Sequence, residues 1–229
     1  MFIKNLLKGI LLSTAFVVSA NATKISPRYP LITEIHGRVW LTNGKSNERV
    51  LLKTKAVLME RALLETEDGA QITVALDAQR QFTVLEGSTI LLPTISWEGG
   101  EAPVIVLKRG NMRWQQLSEE KPSYNVDIRS ELFEFQAPKG DFIFTMEPEK
   151  AYAGVKVLSG NLDFSALNGE ESASVHAGQQ VGFQGVIEGK EIAFDVLLKG
   201  KKIPKGRLTP VAEISKKDLA EFSGEKQKQ

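Results

Sequence analysis

The chain has 229 residues, no cysteine, and 29 basic against 28 acidic side chains, for a formal net charge of +1. The missing cysteines exclude disulfides, thiol nucleophiles, thiolate-bound metals and a lipid on an N-terminal cysteine. The balanced charge lacks the basic footprint of a nucleic-acid binder, and a chain of this length can bury a core large enough to fold without covalent staples.

The N-terminus has the three parts of a secretory signal. Lys4 and Lys8 precede the apolar run Ile10 to Ala20, and Ala20-Asn21-Ala22 is a small-x-small cleavage site. Residues 1–22 are therefore predicted to be a cleaved signal peptide, with the mature chain starting at Thr23. Loss of the two signal lysines lowers the net charge to about −1. The apolar run is shorter than the ~20 residues that span a bilayer. No later run approaches that length, so no transmembrane helix is expected after cleavage. The expected location is the periplasm, with secretion as the alternative.

Residues 23–30 carry Pro27 and Pro30 and read as an extended lead-in. From Leu31 the pattern is that of short strands. Leu31, Thr33, Ile35, Gly37, Val39 and Leu41 alternate with mostly polar neighbours, as do Ala70, Ile72, Val74 and Leu76. Period-two alternation predicts one buried face. It returns at Phe133, Phe135 and Ala137; Phe142, Phe144 and Met146; Leu162, Phe164 and Ala166; Ala173, Val175 and Ala177; and Ile192, Phe194 and Val196. Asn43-Gly44, Asp68-Gly69, Gly99-Gly100 and Asn168-Gly169 are turn dipeptides. The last predicts a hairpin between Asn161 to Leu167 and Ser172 to Ala177. Val50 to Leu64 suits a helical turn or strands. The expected fold for 31–198 is all-β, a sandwich or a short β-solenoid of many short strands.

Weak internal similarity links Val104 to Trp114 with Val155 to Phe164, and more loosely with Phe82 to Ile90. Each is a strand, a Gly-centred turn or bulge, and another strand. Stacked repeats would produce this, and so would bulges recurring in any β protein. Residues 199–229 form a basic tail. Lys199 to Lys205 is basic, and Ser215-Lys216-Lys217-Asp218 predicts a short capped helix with Leu219 and Phe222 on its apolar edge. Residues 224–229 are expected to fray.

Taken in order, these segments resemble the FecR-type periplasmic domain family. The first half of that pattern matches Ile35 to Val39, Leu63-Leu64-Glu65-Thr66, Asp68 to Val74, and Ser88-Thr89-Ile90-Leu91-Leu92. The second half matches Leu107 to Trp114, Phe133 to Phe144, Val155 to Leu162, and Ala177-Gly178-Gln179-Gln180-Val181. The likeness covers roughly residues 31 to 185. Where the family often has Gly-Thr, this chain has Gly140-Asp141, which marks a divergent member. The best-known members sit in the inner membrane, engage a sigma factor from a cytoplasmic segment, and listen to an outer-membrane receptor. A chain exported on a cleaved signal, without a spanning helix, is expected to keep only the periplasmic β domain and a binding role.

Catalytic residue types are sparse. The two histidines, His36 and His176, lie in strand patterns and are expected to face solvent. No HExxH, nucleophile elbow or P-loop is present, and no metal site or cofactor is expected. Glu119-Glu120, Glu131 with Glu134, Glu147 with Glu149, and Glu170-Glu171 are acidic pairs. A glycosidase needs two such carboxylates facing one cleft, whereas Glu flanking turns is usually solvated. Of Trp40, Trp97 and Trp114, Trp40 and Trp114 lie in strand patterns and are expected in the core, where tryptophan is usually found. Trp97, beside Glu98-Gly99-Gly100, is the candidate binding residue. The tail Lys199 to Arg207 is a candidate for contact with anionic lipid or cell-wall polymer. The function expected is a non-catalytic exported domain that binds an envelope protein or a cell-wall polymer in sensing or assembly. The alternatives are a cell-wall carbohydrate-active enzyme using a carboxylate pair, or a structural or adhesive β protein.

Overall fold

A computed structural model describes residues 30–53, 58, 61–94, 102–165, 167, 171–198 and 201–222. The predicted signal peptide, most of the lead-in and Trp97 lie outside the described residues.

The fold is an all-β sandwich. The strands are β1 (Leu31–His36), β2 (Val39–Asn43), β3 (Arg49–Leu51), β4 (Ala62–Thr66), β5 (Gln71–Ala75), β6 (Arg80–Val84), β7 (Thr89–Thr94), β8 (Val104–Gln116), β9 (Asp127–Arg129) and β10 (Glu134–Gln136). They continue with β11 (Gly140–Glu147), β12 (Tyr152–Ser165), β13 (Ser172–His176), β14 (Gln179–Gly185), β15 (Ile187–Glu188), β16 (Glu191–Ile192), β17 (Phe194–Leu198), β18 (Lys201–Pro204), β19 (Gly206–Leu208) and β20 (Ala212–Glu213). The helix α1 (Lys216–Phe222) follows. It is too short to cross a membrane, and no other helix among the described residues is long and apolar enough to do so.

One sheet runs β1-β5-β6-β8-β11-β12-β14. The other runs β3-β2-β4-β7-β8-β9-β10. All pairings are antiparallel except β8 with β9. The facing sides enclose one core that includes Ile72, Val74, Phe82, Trp114, Phe142 and Phe144 from the first sheet and Val39, Leu64, Ile90 and Leu107 from the second. The alternation read at Ala70 to Leu76 and at Phe142 to Met146 is the buried face of β5 and β11.

Strand β8 belongs to both sheets. Arg109 still pairs with Thr89 of the second sheet, whereas Gly110 pairs with Met146 of the first. The turn needs the left-handed backbone at Gly110, φ +84, where a Cβ would stand 2.3 Å from the Ser88 hydroxyl oxygen. Gly160 does the same in β12 at φ +88, handing the strand from β11 to β13. The internal similarity is therefore the trace of two long strands that each turn a corner of the sandwich, rather than of stacked coils.

Buried hydroxyls stitch the first corner. The Ser88 hydroxyl accepts from the Asn111 amide at 2.8 Å. Thr66 Oγ1 donates to the Leu85 carbonyl at 2.5 Å and accepts from the Ser88 amide at 2.9 Å. Gly37 lies alongside, where an added Cβ would come 2.8 Å from that of Ala70. Buried polar groups are costly unless bonded, and here each satisfies another's backbone.

Two expectations change. The residues from Leu31 to Leu41 do not share one face. A bulge shifts the register between Ile32 and Glu34, and the chain changes sheets at Gly37, so Ile32, Val39 and Leu41 are the buried ones. Pairing also continues past Leu198 into the segment read as a tail. β19 and β20 both hydrogen-bond along β14, and the Ile214 amide donates to the Gly178 carbonyl at 2.7 Å. The predicted helix is α1, capped by Ser215, whose hydroxyl accepts from the Asp218 amide at 3.1 Å. Asp218 ties α1 to β12 through Lys156 at 2.8 Å.

Candidate functional site

A sheet edge carries a row of unpaired main-chain donors and acceptors, and proteins normally blunt or cover it. This chain treats its edges differently. The β14 edge is covered by the chain's own residues 206–214. The β1 edge is broken by its bulge and carries the exposed Glu34–His36 pair at 2.8 Å. At β13 the exposed side chains are Ser172, Ser174 and His176. At β10, Gln136 is exposed and Glu134 pairs with Arg129.

The β3 edge is short and carries one charged side chain, Arg49, but among the described residues no strand covers it and no bulge interrupts its pairing. All three of its residues are exposed, with Val50 at 40% and Leu51 at 48%. Its register pairs Trp40 with Leu51, Leu41 with Val50 and Thr42 with Arg49. The Asn43 amide donates to the Glu48 carbonyl and the Leu52 amide to the Val39 carbonyl, both at 2.9 Å. In an antiparallel ladder, hydrogen-bonded and non-bonded pairs alternate. Val50 therefore bonds inward to Leu41, and the N–H and C=O of Arg49 and Leu51 point away from the sheet. Among the described residues, nothing pairs with that outer edge.

Trp40 sits beside this edge on the outer face, contrary to its expected place in the core. Its indole N–H donates to Glu67 at 2.7 Å, and the Arg49 guanidinium lies 4.5 Å from its ring centroid. Trp114 is in the core as expected, with its N–H donated to the Pro138 carbonyl at 2.8 Å. His36 and His176 are both exposed. The candidate Trp97 lies outside the described residues, so the structure sets nothing around it.

A second feature is a cleft of about 670 Å³ where several turns converge. Its walls are Arg129, Ser130, Glu131 and Glu134 from the β9–β10 hairpin, Pro148 and Glu149 from the turn before β12, Leu167, and Lys190, Glu191 and Ile192 from β15–β16. It brings Glu131 and Glu134 of one acidic pair and Glu149 of another together with Glu191, whose lone position in the sequence carries no signal. Arg129 is committed to Asp127 at 2.8 Å, and its Nε lies 3.1 Å from Glu134. That Nε is buried, and the contact to Glu134 is an ion pair outside hydrogen-bond geometry. Glu131 lies 3.8 Å from Lys108.

No family profile and no curated protein matches this sequence. Two crystal structures of a candidate anti-sigma factor from Parabacteroides distasonis are similar in fold, at 12% identity and a TM-score of 0.48. The alignments cover 71% of this chain and 64% and 65% of those chains, less than two thirds of their length.

Proposed function

We propose that this is an exported, non-catalytic FecR-like domain that receives an extended segment of an envelope protein on the open edge of β3, in sensing or envelope assembly. The observation that carries the proposal is a contrast within the large sheet: the β14, β1, β13 and β10 edges are covered, bulged or polar, whereas β3 presents exposed Val50 and Leu51 beside main chain that no described residue pairs with. An extended partner that adds a strand gains main-chain hydrogen bonds without any catalytic signature in side chains. The FecR resemblance is supported by how its motif residues act. Thr66, Ser88 and Gly110 meet at the corner where β8 passes between the sheets, and Gly37 stands against Ala70 where the chain passes from β1 to β2.

A photoreactive residue at position 51 of the full-length chain, activated in intact cells, is expected to give one discrete protein adduct. The same residue on the polar outer face at position 83 is expected to give none. Equal labelling from the two positions would overturn the proposal.

The cleft favours one competing reading, because a glycosidase sets two carboxylates about 5 to 10 Å apart across a cleft. The domain is expected to release no reducing ends from purified cell-wall glycan. Release that disappears in a Glu131→Gln, Glu149→Gln variant would establish the hydrolase reading instead.

A further inference from the structure

Resting on the strand-addition reading, the chemistry of the incoming segment can be read from the rows it would extend. Neighbouring strands lie ~4.8 Å apart, and side chains directly across from each other interact. The inner row runs Leu64, Leu41, Val50. Leu64 is 0% exposed, Leu41 6% and Val50 40%. The row is apolar throughout and opens to water at β3, the last strand of this sheet among the described residues. The residue placed opposite Val50 continues that row.

The outer row beside it runs Glu65, Trp40, Leu51. The residue opposite Leu51 meets an aliphatic side chain backed by an indole.

The third row ends on Arg49. Its Nε lies 3.4 Å from Glu65, and its side chain is 52% exposed. Its guanidinium also rests on Trp40. Among the described residues, its two terminal nitrogens have no hydrogen-bonding partner. A guanidinium held by its stem and ring contact, with its fork free, is suited to a carboxylate. Like charges directly across a ladder are destabilising.

We infer that β3 selects an antiparallel segment with two aliphatic residues followed by an acidic one. The aliphatic residues stand opposite Leu51 and Val50, and the carboxylate stands opposite Arg49. An antiparallel partner meets β3 in the order 51, 50, 49, which fixes the order of the triplet. Proline is excluded from the first and third places, because those residues supply the main-chain bonds to Leu51 and Arg49.

The test uses the full mature chain and labelled eight-residue peptides with central Val-Val-Glu, Val-Val-Lys or Ser-Ser-Glu, read by fluorescence anisotropy. The Val-Val-Glu peptide is expected to bind about fivefold more tightly than Val-Val-Lys, and Ser-Ser-Glu is expected not to saturate. On an Arg49→Glu variant the Glu and Lys peptides should exchange order. Equal binding of Glu and Lys peptides to the native chain, an unchanged order on Arg49→Glu, or no saturable binding of Val-Val-Glu overturns the inference. Failure of the parent reading looks different: a Leu51→Pro variant would then bind Val-Val-Glu as tightly as the native chain does.

Discussion

Replacing Arg80 with methionine is expected to lower the free energy of unfolding by about 3 to 5 kcal/mol, the usual cost of breaking one side of a buried ion pair. Arg80 is 2% exposed. Its Nε and Nη2 donate to one carboxylate oxygen of Asp77 at 2.9 and 2.5 Å, and its Nη1 donates to the Tyr124 carbonyl at 2.7 Å. The Tyr124 ring lies 4.0 Å from the guanidinium. Asp77 in turn accepts the amides of Gln79 and Arg80, both at 2.8 Å. The cluster joins the β5–β6 turn to the segment that carries the chain from the end of β8 in one sheet to β9 in the other. Methionine fills the volume but leaves the Asp77 carboxylate without its counter-charge. Adding Asp77→Asn to the methionine variant should recover part of the loss, and a double-mutant cycle by urea unfolding measures how much.

The same cluster sets a pH dependence. Burial pushes the Asp77 carboxyl up, but hydrogen bonds from Arg80, the Gln79 amide and Tyr124, with the charge of Arg80, outweigh it and hold the group below its ordinary value. A lowered value contributes stability that is present above about pH 4 and is lost as pH falls through the folded-state value. Burial, then the hydrogen bond and charge of Asp77, raise the Tyr124 hydroxyl. That contribution is present below about pH 10 and is lost as pH rises beyond it. Both flanks should be shallower in the Arg80→Met, Asp77→Asn double variant.

Gly110→Ala is expected to cost about 2 to 5 kcal/mol. An L-residue in the left-handed region costs ~1–2 kcal/mol, and forcing extra volume into a packed site costs ~1–3 kcal/mol. The new Cβ would meet not only the Ser88 hydroxyl but also the Ser88 Cα, at 2.7 Å. Backbone cannot rotate aside as a side chain can. Gly69→Ala separates the two effects, because Gly69 has φ +68 but nothing within 4 Å of an added Cβ. Its expected cost is the conformational part alone, about 1 kcal/mol. Urea midpoints compare the two directly. Equal losses would mean that the corner is not closely packed.

Much of the fold was legible because strand alternation is a local property. The core-facing residues of β5 and β11 follow from it, although Thr73 and Ile143 are buried on the opposite faces; with the Asn168-Gly169 dipeptide it also gives the β12–β13 pairing, in which Asn161 faces His176 and Ser165 faces Ser172. It failed where local geometry broke the period. At β1 a bulge inverted the phase, and nothing in Ile32-Thr33-Glu34 announces a bulge. Trp40 shows a different failure. Its neighbours Val39 and Leu41 both face inward, so alternation sets Trp40 outside, whereas the usual burial of tryptophan points the other way.

The site was less legible because it depends on pairing order. Val50 and Leu51 lie in a stretch that suits a helical turn as well as a strand, and whether a strand is central or terminal is set by residues far away in sequence. The cleft joins turns near residues 130, 149 and 191, a convergence that only the topology creates. Arg80 has the surroundings of an ordinary turn residue, and its burial comes from Tyr124, 44 residues later.

The central claim is that a partner pairs with the outward main chain of β3. Leu51→Pro removes one outward N–H while the inward bonds of Val50 and Leu52 remain, and an edge position tolerates proline. The decisive measurement is in-cell photocrosslinking from position 50 with and without Leu51→Pro, alongside urea unfolding of both chains. The account predicts that the adduct is lost while the unfolding midpoint is retained. An adduct of undiminished yield in the Leu51→Pro chain would contradict it.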